Sequence, residues 1–107
     1  MLRIALAATL SCLCGAASAY DTGGLTCERI GEAAVDTLAA KRAGRDHATQ
    51  VASLESTVAP DAQVERKLLT NVVRLIYRND LIDAMEPRDI FIVFFGDCTR
   101  GKALDAR

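Results

Sequence analysis

Two cysteines, Cys27 and Cys98, constrain this chain more than any other feature, because almost everything after its first nineteen residues lies between them. The start of the chain decides what those cysteines can do. Met1-Leu2-Arg3 is followed by an apolar run from Ile4 to Cys14 and then by Ala17-Ser18-Ala19, the small-residue pattern of a signal peptidase site. The run is about a dozen residues, short of the roughly 20 that cross a bilayer, so residues 1–19 are expected to be an export leader rather than an anchor. A competing reading makes Thr9-Leu10-Ser11-Cys12 a lipoprotein processing site with lipid on Cys12, although threonine stands where such sites usually carry leucine. Cleavage after Ala19 takes Cys12 and Cys14 away and leaves residues 20–107 as one small domain with Cys27 and Cys98 as its remaining cysteines.

Two cysteines in an exported chain are first a disulfide candidate. A closed loop of roughly 70 residues is worth about 4 kcal/mol in the chain-entropy model. That is large for a domain of this length, which buries only about 60–65 % of the surface its unfolded chain exposes. Charge adds little direction. The whole chain has 13 Lys and Arg against 14 Asp and Glu, and the leader removes only Arg3. Such a balance predicts neither nucleic-acid binding nor strong attraction to anionic lipid, and after cleavage no segment is apolar enough to integrate into a membrane.

The spacing of apolar residues predicts helices. From Cys27 to Ala40, Cys27, Ile30, Ala34 and Leu38 share one face, with Thr26 as N-cap, Glu28 and Glu32 near the positive end, Lys41 and Arg42 near the negative end, and Gly44 as stop. Asp46 is the expected cap of a shorter helix to Val58, carried by Val51, Leu54 and Val58, and Pro60 is placed to begin the next one. The strongest pattern runs from Asp61 to Asn79. Val64, Leu68, Val72, Leu75, Ile76 and Asn79 form its face, widened by Leu69 and Val73, so this helix is expected at the centre of the fold. Its flanking Arg66, Lys67, Arg74 and Arg78 read as a solvated side. Residues 80–86 suggest a short helical turn.

"FIVFFGDC", residues 91–98, is ambiguous. Ile90, Phe94 and Cys98 recur every four residues, as do Phe91 and Phe95, which suits a helix started by Pro87; yet β-branched and aromatic residues are the composition of a buried strand. A strand would have no convincing partner here, and unpaired buried backbone is costly, so the helix is favoured, with "FIVFF" in the core and a polar tail after Cys98. The expected fold is all-α: a small bundle of four or five short helices closed by one disulfide, Cys27 to Cys98.

Catalytic chemistry finds little support. His47 is the single histidine, and a Cys98, His47 and Asp97 arrangement has no supporting spacing and no thiolate once the cysteines pair. Asp80, Asp83 and Glu86 share a helical spacing but lack the dense oxygen-ligand loop of calcium sites. Gly23-Gly24 and Gly96 match no phosphate-binding pattern. The expectation is therefore no catalytic residue, no metal and no cofactor. Candidate interaction residues are the basic segment Lys41, Arg42 and Arg45, which also suits a helix end complementing its own dipole, and the aromatic set Phe91, Phe94 and Phe95.

A cysteine early in the first helix within Thr26-Cys27-Glu28, Tyr77-Arg78 in the long helix, a proline-initiated last helix and the closing Cys98 give a layout that resembles small secreted helical proteins of Gram-negative bacteria with one disulfide, and is loosely similar to the Hde-type periplasmic acid-stress chaperones. That resemblance implies a periplasmic or secreted protein without an active site, acting on unfolded polypeptides at low pH. The function expected is a non-catalytic binding or chaperone-like interaction module with a protein partner; the alternative is a structural or assembly component of a cell-envelope complex. The sequence leaves the oligomeric state open.

Overall fold

The structure is a computed structural model that describes residues 21–102; the expected leader with Cys12, the cleavage site and residues 103–107 lie outside the described residues. It contains α1 (Cys27–Arg42), α2 (His47–Glu55), α3 (Gln63–Arg78), a 3-10 turn (Asp80–Ala84) and α4 (Pro87–Thr99), with no strand among the described residues. The bundle is all-α, and residues 91–98 are helical.

Local chemistry accounts for most of the boundaries. Thr26 Oγ1 accepts from the Arg29 N–H at 3.0 Å and caps α1. The helix ends where Gly44 takes φ +83°, with the Arg45 N–H donating to the Ala40 carbonyl and the Gly44 N–H to that of Lys41, a closure that needs a left-handed residue at this position. Gly101, at φ +77°, closes α4 in the same way. Asp46 caps α2 through the Thr49 N–H at 2.8 Å. The helix stops before Val58 because the Ser56 and Thr57 hydroxyls turn back onto the carbonyls of Ser53 and Leu54. Pro60 does not begin α3: it lies in a turn closed by the Ala62 N–H on the Ala59 carbonyl, and α3 starts at Gln63. Asn79, expected on the apolar face of α3, is exposed and caps the 3-10 turn instead, its Oδ1 accepting from the Leu81 N–H.

Packing corrects one expectation. The hub is α1, not α3. Helix α4 lies along one side of α1, α3 and α2 along the other, and α3 and α4 share no extensive contact. Residues of small volume explain the choice: Gly31, Ala33, Ala34, Thr37 and Ala40 are all buried on α1, so neighbours approach its backbone closely from two sides. At Gly31 a Cβ would sit 2.7 Å from the Phe91 ring, so that ring occupies the space a side chain would take. The surrounding core is Ile30, Leu38, Leu69, Val72, Val73, Ile76 and Ile90, each fully buried. Gln50 is buried too, and every polar group it has is matched: its amide donates to Asp36 Oδ2 and Thr37 Oγ1, and its Oε1 accepts from Arg45. It holds α2 to α1 where the apolar stripe of α2 is thin.

Cys27, the first residue of α1, is bonded to Cys98 near the end of α4, with 5.4 Å between the Cα atoms and 71 positions of sequence between them. The two helices therefore run antiparallel. At the other end of α1, Arg42 Nη2 donates to the carbonyls of Asp83 (2.7 Å) and Met85, just before α4 begins. Lys41 donates to the Ile76 carbonyl at 2.9 Å and pairs with Asp83 at 2.7 Å. Helix α4 is thus fixed at both ends.

Replacing both cysteines by serine is expected to lower unfolding stability by about 4 kcal/mol, read in urea unfolding as a lower midpoint with a steeper slope, because the unlinked unfolded chain exposes more surface. A second expectation concerns Asp46. The Thr49 hydroxyl and N–H, followed by the charge of His47, hold its carboxyl below the ordinary value of 3.8. A folded-state value below the unfolded one adds stability that is present above the unfolded pKa and lost as pH falls through the folded one. Asp46→Asn should accordingly be less stable than the parent at neutral pH, and the gap should close as pH drops below about 4 in urea unfolding measured against pH.

Candidate functional site

On α4, Ile90, Phe94 and Cys98 face α1 and are buried. The other side of the helix packs against no other element among the described residues, and its apolar residues are exposed: Ile92 57 %, Val93 44 % and Phe95 38 %. Phe91 is half-buried over Gly31, and its ring stacks on that of Phe95 with centroids 5.6 Å apart. The expectation that "FIVFF" forms core therefore holds only for Phe94. Phe94, offered as a surface residue, is 6 % exposed and belongs to the core, because its spacing from Ile90 and Cys98 turns it toward α1. Ile92 and Val93 take its place at the surface. Part of the signal was in the sequence: once Ile90, Phe94 and Cys98 set the inward face, residue 92 falls opposite it, while residue 93 falls on its flank, where packing decides.

This patch differs from an ordinary scatter of exposed apolar residues. Ile92, Val93 and Phe95 are consecutive or nearly so on one helix, and that helix is tied down by the disulfide at one end and by Arg42 at the other. Exposed apolar residues grouped on an element held at both ends are the observation from which an interaction surface can be argued, since rigidity lowers the ordering cost of binding.

The basic candidates lie elsewhere and are occupied. Lys41, half-buried, and Arg42 tie the 3-10 turn to α1, and Arg45 Nη1 donates to Gln50 Oε1 at 2.9 Å. The structure does not bring these cations together with the phenylalanines into one site. The role of Lys41 and Arg42 follows from the end of α1: they reach backbone carbonyls near the end of α3 and of the 3-10 turn. Sequence reasoning missed this because a backbone acceptor on another element has no residue signature.

The other groups considered for chemistry sit in structural contacts. His47 meets the Tyr77 ring edge-on at 5.5 Å, and the Tyr77 hydroxyl donates to the Arg45 carbonyl at 2.6 Å. Burial raises the Tyr77 pKa above its usual value of 10.0, the Arg45 charge opposing the shift. Cys98 is bonded to Cys27, and Asp97 pairs with Arg100 at 2.7 Å, so the imagined Cys98, His47 and Asp97 set has no nucleophile. Asp83 is engaged by Lys41, and no group of three His, Cys, Asp or Glu able to hold a metal ion occurs among the described residues. No helix among the described residues is long and apolar enough to cross a membrane.

Compared with known proteins, the chain matches no family model, no curated protein and no solved structure.

Proposed function

We propose that this protein is a non-catalytic binding module of the cell envelope, chaperone-like in action, that holds other polypeptides on the outer face of α4. One observation carries the reading: Ile92, Val93 and Phe95 stay exposed on a helix whose opposite side is fully packed and whose two ends are tied down. An apolar strip of this kind offers contact area without demanding a particular hydrogen-bond pattern, so it suits unfolded segments of varied sequence. The disulfide fits an oxidising compartment, which the expected leader would supply. In acid the carboxylates neutralise, the chain becomes strongly cationic, and self-repulsion loosens the bundle, enlarging the apolar surface on offer. Assembly into a larger envelope complex is the second reading, favoured by the same exposed strip: a permanent partner would cover it.

The test is suppression of aggregation of a chemically denatured model enzyme, at neutral and acidic pH, by the oxidised protein and by a variant carrying Ile92→Asp and Val93→Asp. Both positions are exposed, so the variant is expected to keep its helical circular dichroism. Its apparent affinity for the unfolded enzyme should fall by about tenfold or more, the effect of withdrawing roughly 1.4 kcal/mol of apolar contact. Failure of the parent protein to suppress aggregation at either pH would remove the chaperone-like reading and leave the assembly component.

A further inference from the structure

The outward side of α4 has a periodicity of its own. Asp89, Ile92, Val93, Gly96 and Arg100 recur at spacings of three and four, which sets them in one stripe opposite Ile90, Phe94 and Cys98. Asp89 and Arg100 are exposed, as are Ile92 and Val93. The Arg100 guanidinium lies over Gly96, with Nη1 3.1 Å from where a Cβ would stand, which places Arg100 on the stripe as well. The stripe therefore carries an acid at one end, two β-branched residues, a residue without a side chain, and a base at the other end.

That order is complementary to itself when turned end for end. In an antiparallel pair, the register that sets Asp89 against Arg100 of a second copy also sets Val93 against its Gly96, and the twofold axis repeats both contacts. We propose that a second copy of this chain docks here, α4 against α4, antiparallel. Charge complementarity favours this occupant. Asp89 has no side-chain hydrogen bond or ion pair among the described residues, and Arg100 has only Asp97, one turn back on its own helix. Antiparallel helix dipoles add to the attraction. Gly96 supplies the second argument. A glycine in a helix interior disfavours the helix relative to alanine, and within one copy the atoms nearest the space it leaves belong to the Arg100 side chain. When Arg100 turns from that space to Asp89 of a second copy, the space admits Val93 of that copy and lets the two backbones approach.

The contact is small. A helix of 13 residues spans roughly 20 Å, and pairing along it covers less than the roughly 800 Å² per partner of a standard stable interface. The pair is accordingly weak and reversible, and it competes with any other polypeptide for the same strip. The proposal rests on the stripe itself and stands whether or not the face also holds unfolded chains.

Sedimentation equilibrium of the oxidised protein from micromolar to millimolar concentration tests it, with circular dichroism to check that each variant is folded. The weight-average mass is expected to climb from one copy toward two. Asp89→Arg and Arg100→Asp, each alone, should raise the dissociation constant several-fold by setting like charges together at both ends, and the double reversal should restore it. Gly96→Leu, which favours helix while filling the notch, should abolish the rise. A mass that stays at one copy throughout would overturn the proposal. So would a dimer indifferent to Gly96→Leu, or single reversals that the double fails to rescue.

Discussion

A short helix can be the centre of a small bundle only if its neighbours reach its backbone from more than one side, and α1 meets that condition through the size of its side chains. Gly31, Ala33, Ala34, Thr37 and Ala40 leave two shallow flanks, one filled by α4 and the other by α3 and α2. The larger residues Ile30 and Leu38 then lock between the layers with Leu69, Ile76 and Ile90. The disulfide depends on this arrangement as much as it supports it. Cys27 and Cys98 fall within bonding distance because Phe91 seats on Gly31 and brings α4 alongside α1.

Much of this was legible in the residues. Thr26, Asp46 and Gly44 mark helix ends by chemistry that acts within a few positions, so their roles survive folding unchanged. The apolar stripe of α3 and the cysteine pairing were legible for the same kind of reason, one through period and the other through scarcity of alternatives. The centre of the fold was not. Burial of alanine and glycine leaves almost no trace in an apolar pattern, so the strongly patterned α3 looked central while the weakly patterned α1 took that place. Gln50 was hidden similarly, because its burial depends on acceptors from α1 and a donor from the Arg45 loop meeting at one point. At the candidate site, "FIVFF" is ambiguous in sequence, and how much of its flank stays exposed depends on α4 packing chiefly on α1 among the described residues.

The two families of candidate residues end with different standing. The cations of residues 41–45 are bound to carbonyls and carboxylates of the molecule itself, which accounts for their clustering without a ligand. The exposed apolar residues of α4, Ile92, Val93 and Phe95, have no such account among the described residues. Their exposure sets solubility against contact, and Asp89, Arg88 and Arg100, exposed on the same helix, temper that exposure much as charged residues guard the edges of sheets.

The placement of α4 also fixes an order of events as the chain folds. Helices α1, α2 and α3 are neighbours in sequence and pack on one another, so their contacts close shorter loops than the α4 layer does and are expected to form first. The α1 to α4 layer joins residues up to 71 positions apart and is expected to close last. Until then one flank of α1 is bare and Cys27 is a lone thiol, with Ile30 and Leu38 incompletely covered. The last thirteen-residue helix is therefore what ends the period in which the chain is exposed to self-association and to oxidation by a stranger, and a chain cut short before Pro87 would never leave it.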